Sequence, residues 1–326
     1  MYSVVRQTPV ATLLTLIAVT AAAFTRFSLG LFDDECIGGT AAPLAVFVDA
    51  WQASHRELGT VFSAILTVFT GMIVGRMGAK FGIYSTHCIF SVALYGFAAC
   101  GIFISENSLS AAIAAMFAAA AMRHLCGGYL RGQNLTAMLY AGLYTGIVPM
   151  FCAAGVIYVI TTSIAVFMFA LSVREIITLF AGIAFIPLTV CYVTWMLGGD
   201  FLAPLHGLLD ALIVPSGYTV WGSDSFAALV MVGLLSFVLF CSVALFFGNR
   251  YAVATKSRRI LIYIIITCIL SVCMLLLPSA TVATFTLIAV PASLIMPVMF
   301  LKIDDAAALL LYLIIVAAFV LHLFVI

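Results

Sequence analysis

Read for its hydrophobic and polar positions, the chain is a series of long apolar runs broken by short polar stretches, without the ten-residue alternation that builds a membrane β-barrel. A helix that crosses hydrocarbon needs about 20 residues, each rising ~1.5 Å. Runs of that kind occupy 9–31, 58–76, 86–105, 108–122, 134–149, 151–171, 175–197, 225–247, 259–277, 281–301 and 306–326, and they predict about eleven crossings. The run at 108–122, SLSAAIAAMFAAAAM, is short and alanine-rich. The stretch 134–171 predicts either two short helices hinged near Pro149 or one long kinked helix, because proline removes an internal hydrogen bond. Two interruptions are longer than connectors, at 32–57 and 198–224. Each contains a segment whose apolar positions suit a helix lying in the membrane interface: APLAVFVDAWQASHRELG in the first and FLAPLHGLLDALIVP in the second.

Composition turns this pattern into a solvent. With 66% hydrophobic residues, 8% charged residues and a mean hydropathy of +1.30, the chain is too apolar for an ordinary soluble domain. In a bilayer every backbone polar group must be satisfied within the protein, so long apolar runs mean helices. The expected fold is all-α, a polytopic helical membrane protein forming one integral membrane domain over 1–326. The first run lacks a small-residue cleavage site leading into a soluble domain, so it is expected to be a retained span. A net charge of +1, with no basic groove interleaved with aromatics, argues against a nucleic-acid partner. None of the nine cysteines forms a CxxC pair, which points away from a zinc site or a disulfide framework. Most of them fall inside apolar runs, and Cys36 alone is expected in an aqueous loop.

Lys and Arg set the orientation. With the N-terminus cytoplasmic and the C-terminus periplasmic, every basic residue except Arg26 and Arg56 falls on the inner side. The same assignment puts Asp33, Asp34, Glu35, Asp49, Glu57, Glu106, Asp200, Asp210 and Asp224 outside, an asymmetry the basic residues do not impose. Any chemistry is therefore expected on the extracytoplasmic face.

The candidate residues follow from that placement. Asp33, Asp34 and Glu35, in SLGLFDDECIGGTAAP, directly follow the first span, where a helix C-terminus disfavours negative charge. Adjacent carboxylates raise one another's pKa and suit a general base, or oxygen ligands for a divalent metal whose identity nothing in the spacing specifies. Arg26 lies two turns before Asp33 and suits bidentate binding of a lipid phosphate, against the alternative of snorkelling to headgroups. His55 and Arg56, beside Glu57, stand at the start of the second span. In the second long loop His206 and Asp210 are four apart on one helix face, with Asp200 preceding them, an arrangement fit for proton transfer or for the polar side of an amphipathic helix. Arg174 and Glu175 read as a structural pair at a cytoplasmic helix start.

Three resemblances add to this. The order LFDDE and then APLAVFVDAWQASH resembles the first loop of GT-C glycosyltransferases, in which an acidic pair after the first span precedes an interfacial helix. That resemblance implies that Asp33, Asp34 or Glu35 is the base or metal ligand and that Arg26 or Arg56 holds the phosphate of a polyprenyl-phosphate sugar donor. The segments GGYLRGQNLTAMLYAGLYTGIVPMF and SVREIITLFAGIAFIPLTVCYVTWMLGGD resemble a family of uncharacterised polytopic inner-membrane proteins of Bacteroidota, which implies an envelope protein without an assigned activity. The segment VGRMGAKFG at 74–82 resembles the cytoplasmic loop motif of major facilitator transporters. Gly75, however, stands where an acid usually precedes the first Arg, and 326 residues leave no room for two six-helix halves and their linker. The sequence thus carries a leading expectation, a periplasmic-face membrane glycosyltransferase that uses a polyprenyl-phosphate-linked sugar, with membrane lipids around it. Its alternatives are a non-catalytic subunit bound to envelope protein partners, and a transporter or flippase.

Overall fold

The computed structural model describes residues 9–28, 42–82, 89–101, 108–132, 134–213, 226–248 and 254–324. Among them every regular element is helical. In chain order these are α1 (Pro9–Ser28), α2 (Ala45–Ser54), α3 (Arg56–Lys80), α4 (Ser91–Gly101), α5 (Leu109–Arg131), α6 (Leu135–Phe151) and α7 (Val156–Phe169). Then come α8 (Val173–Met196), α9 (Ala203–Ile213), α10 (Phe226–Gly248), α11 (Thr255–Val272), α12 (Phe285–Ile295), α13 (Pro297–Lys302) and α14 (Asp305–Phe324). Seven helical segments among the described residues are long and apolar enough to cross a membrane, and the Val10–Phe24 part of α1, with α4, α6, α7 and α9, makes shorter apolar segments.

Burial sorts the elements. The α12–α13 segment is 83% buried and packs against α3, α4, α5, α10 and α11, so it forms the centre. Helices α8 and α14, at 17% and 22%, lie at the periphery and show their apolar faces outward. The alanine-rich run proves to be a 23-residue helix that continues through Arg123 and His124 to Arg131. Its Ala114, Ala115, Ala118 and Ala119 are fully buried, and small side chains are what let neighbouring membrane helices approach closely.

The hinge expected near Pro149 is present, displaced by three residues. Pro149 sits in the last turn of α6, and the chain breaks at the extended Cys152 and a single 3₁₀ turn, Ala153–Gly155, before α7. Two other prolines leave their helices continuous, and the rest of the bundle accommodates what they remove. Pro291 deprives the Leu287 carbonyl of its helical donor, and the Tyr158 hydroxyl donates to that carbonyl at 2.8 Å. Pro187 likewise frees the Ile183 carbonyl, which lies against the bare Cα of Gly146 on α6.

Side-chain bonds fix the two ends of the bundle. At one end Ser257 Oγ donates to Phe81 O at 2.8 Å and Lys256 Nζ approaches Leu130 O at 3.4 Å, which gathers the start of α11 with the ends of α3 and α5. At the other end Leu109 N donates to Gln52 Oε1 at 2.9 Å, and Leu44 N donates to Met150 O at 2.9 Å. The Arg174–Glu175 pair expected from sequence takes a different form. Glu175 Oε2 accepts from Ser172 N and from Ser172 Oγ at 2.9 and 2.8 Å, closing the N-terminus of α8 as half of a capping box, while Arg174 stays exposed.

Candidate functional site

The end built by α2 and α9 holds the described candidates. Helix α2 turns Ala45, Asp49 and Gln52 inward at i, i+4 and i+7 and leaves Val46, Phe47 and Trp51 exposed. Helix α9 buries Pro204 and Ala211 and exposes Leu209 and Ile213. Each of the two long loops therefore contains a helix where one was expected. Parts of both loops share a core: Ala42 and Ala45 from the first, Ala211 from the second and Ala153 from the turn between α6 and α7 form a small cluster of their own, flanked by Leu208 and Leu212. Four alanines let three backbones approach where larger side chains would hold them apart.

His55 breaks the chain between α2 and α3, with its ring stacked on Trp51 at 5.3 Å and its Nδ1 within 3.0 Å of Ser54 Oγ. Arg56 opens α3 half-buried, and the exposed Glu57 occupies the first turn, where a carboxylate suits the helix dipole. At ~1.5 Å per residue, the ten residues of α2 hold His55 about 15 Å from Ala45 and the small alanine core. The structure thus joins the two loops at the start of α2 and sets the His55–Arg56 pair at its far end, where Gln52 ties it to α5. Asp200 is exposed in the turn before α9, its carbonyl accepting from Ala203 N at 3.2 Å, and His206 and Asp210 are both exposed on α9. Asp33, Asp34, Glu35 and Cys36 lie outside the described residues. Arg26 lies in the last turns of α1.

Sequence reasoning passed over Asp49. Both of its carboxylate oxygens are buried beneath α2, close enough to Cys152 to act on it electrostatically. The signal was present in AVFVDAWQAS, where Asp49 shares the helix face of Ala45 and Gln52. A carboxylate turned inward at this end is a further candidate base beside Asp33–Glu35. Among the described residues no three His, Cys, Asp or Glu side chains gather as a metal site would require. The expectation of a divalent metal therefore rests on the acidic run alone.

A cleft of about 470 Å³ opens between α1, α3, the start of α4 and α5, and its lining includes Arg76, Lys80 and Arg123.

These observations define a class: an all-helical protein of the multi-pass membrane type, with α2 and α9 gathered about one small alanine core at one end. Comparison with protein-family models, with characterised proteins and with solved structures finds no match to the chain.

Proposed function

We propose that the protein is an inner-membrane glycosyltransferase of GT-C-like layout that takes a sugar from a polyprenyl-phosphate donor at the periplasmic face of a Bacteroidota-type envelope. The observation that supports this reading is the small core that gathers Ala42 and Ala45, at the start of α2, with Ala211 of α9, because it brings described parts of the two long loops together. In this reading the shorter helices α1, α4, α6 and α7 cross together with the seven longer segments, giving eleven crossings with the N-terminus inside and the C-terminus outside. The half-buried Arg56, with Arg26, takes the donor phosphate as a planar cationic fork. The acceptor hydroxyl attacks the anomeric carbon of the sugar. The bond from that carbon to the phosphate oxygen breaks, and the hydroxyl proton passes to a carboxylate of Asp33, Asp34 or Glu35, or to Asp49. The lipid phosphate leaves with the bonding electrons, neutralised by arginine. His206, Asp210 and Asp200, on and before α9, face the acceptor side.

Mass spectrometry of envelope glycans and polyprenyl-linked sugars in cells lacking the protein tests this. Donor is expected to accumulate and glycan to disappear, with rescue by the native chain and at least a hundredfold weaker rescue by a variant carrying Asp33→Asn and Asp34→Asn, as loss of a general base predicts. Unchanged glycans would remove the enzyme and favour a non-catalytic subunit of an envelope assembly.

A further inference from the structure

We propose that the cleft at the basic end is a binding site for an anionic phospholipid, its phosphate held by Arg76, Lys80 and Arg123 and an acyl chain laid between α1 and α4. The cleft has two chemically distinct parts. Its walls are apolar, with Leu13 from α1, Met72 from α3 and Ile89 and Val92 beside and within α4. Its rim is cationic, and among the described residues no carboxylate lines it. Arg131 and Arg123 stand near enough to Lys80 to add to the positive field there. Arg76, Lys80 and Arg123 gather like charge beside an apolar cleft, with Arg76 and Lys80 exposed and Arg123 half-buried, and an anion seated there would relieve their mutual repulsion.

The two parts together select the occupant. A free phosphate would neutralise the rim and leave the apolar walls wet. A zwitterionic lipid would fill the walls and carry its own cation to the rim. A lipid with a net negative headgroup satisfies both, and basic pockets between membrane helices are suited to such headgroups. The volume lies within the range of small-molecule sites, roughly 300–1,000 Å³. The cleft is also built into the packing: a Cβ on Gly75 would collide with the Val92 side chain, so the glycine is what lets α3 close against α4 and form the cleft floor. None of these residues belongs to the α2–α9 end, and the proposal stands or falls independently of glycosyl transfer.

The test is native mass spectrometry of the detergent-purified full chain titrated with phosphatidylglycerol or phosphatidylcholine, with inorganic phosphate as a third probe. Phosphatidylglycerol is expected to bind preferentially, and substituting Arg76→Gln, Lys80→Gln and Arg123→Gln one after another is expected to weaken it roughly fivefold per cation removed. Leu13→Trp, which fills the apolar part and keeps every charge, is expected to reduce lipid binding with no effect on any phosphate adduct. It decides the matter alone should the triple variant fail to fold. Equal binding of the two lipids by the native chain would overturn the proposal, as would a preference that survives both the charge changes and Leu13→Trp. Saturable phosphate binding that phosphatidylglycerol does not displace would make the cleft a soluble-anion site and would equally refute a lipid occupant.

Discussion

Replacing Gly142 with leucine will cost the protein its native packing, and the expected result is loss of the monodisperse species on size-exclusion chromatography in mild detergent. The reason lies in what a side chain would meet. A Cβ at Gly142 would run into the Leu179 carbonyl oxygen of α8 and would stand 3.1 Å from the Cα of Gly182. From the other side, a Cβ at Gly182 would stand 2.8 Å from Leu139 O, and one turn along α6 a Cβ at Gly146 would stand 2.6 Å from Ile183 O. Flexible side chains can move aside, but these obstacles are backbone, so the two helices must separate along their length. Overpacking typically costs ~1–3 kcal/mol where side chains can adjust, and a backbone obstacle puts this case at or above the upper end. Gly127→Ala is the matched control. It too lies within a helix, with nothing within 4 Å of the added Cβ, and should be neutral or stabilising by up to ~1 kcal/mol from helix propensity. Survival of Gly142→Leu with an unchanged elution profile would show that α6 and α8 do not pack as described.

That contact illustrates how far the sequence could be read. Apolar runs foretold the helices because backbone in hydrocarbon has few alternatives, and the amphipathic pattern foretold α2 and α9. The far end of α5 was missed because Arg123 and His124 interrupt the apolar run, although a basic helix end at the membrane surface tolerates both. The break at Met296 between α12 and α13, ahead of Pro297, was passed over because the run stays apolar throughout. Gly142, Gly146 and Gly182 carried no visible role in one dimension, since close approach is a property of two helices. The same holds for the candidate sites. Arg76, Lys80 and Arg123 were legible as orientation signals, but their convergence on one cleft depends on how α3 and α5 pack. Asp49 counted as one more outward acid until the burial of Ala45 and Gln52 showed which face of α2 turns inward.

Tyr158→Phe is expected to lower the thermal unfolding midpoint in detergent, and Pro291→Ala is expected to restore most of the loss. Pro291 has no N–H to give the Leu287 carbonyl, and the carbonyl lies in a fully buried stretch of α12 where water cannot serve. The Tyr158 hydroxyl, donated from α7 at 2.8 Å, fills that vacancy and ties α7 to the central helix. Removing the hydroxyl leaves the acceptor unmet, at a cost of about 1–2 kcal/mol for a hydrogen bond between membrane helices. Alanine at 291 returns an N–H to the helix, so Leu287 regains a donor four residues on. In a double-mutant cycle the two changes should therefore be strongly non-additive, with Tyr158→Phe costing less than half as much in the Pro291→Ala background. Additive effects would mean that the hydroxyl stabilises the bundle by some route other than the carbonyl that proline orphaned. The coupling, once measured, would show that a proline inside α12 and a tyrosine 133 positions before it in the chain act as one structural unit. A break in one helix's own hydrogen bonding would then be what holds a second helix in register against it.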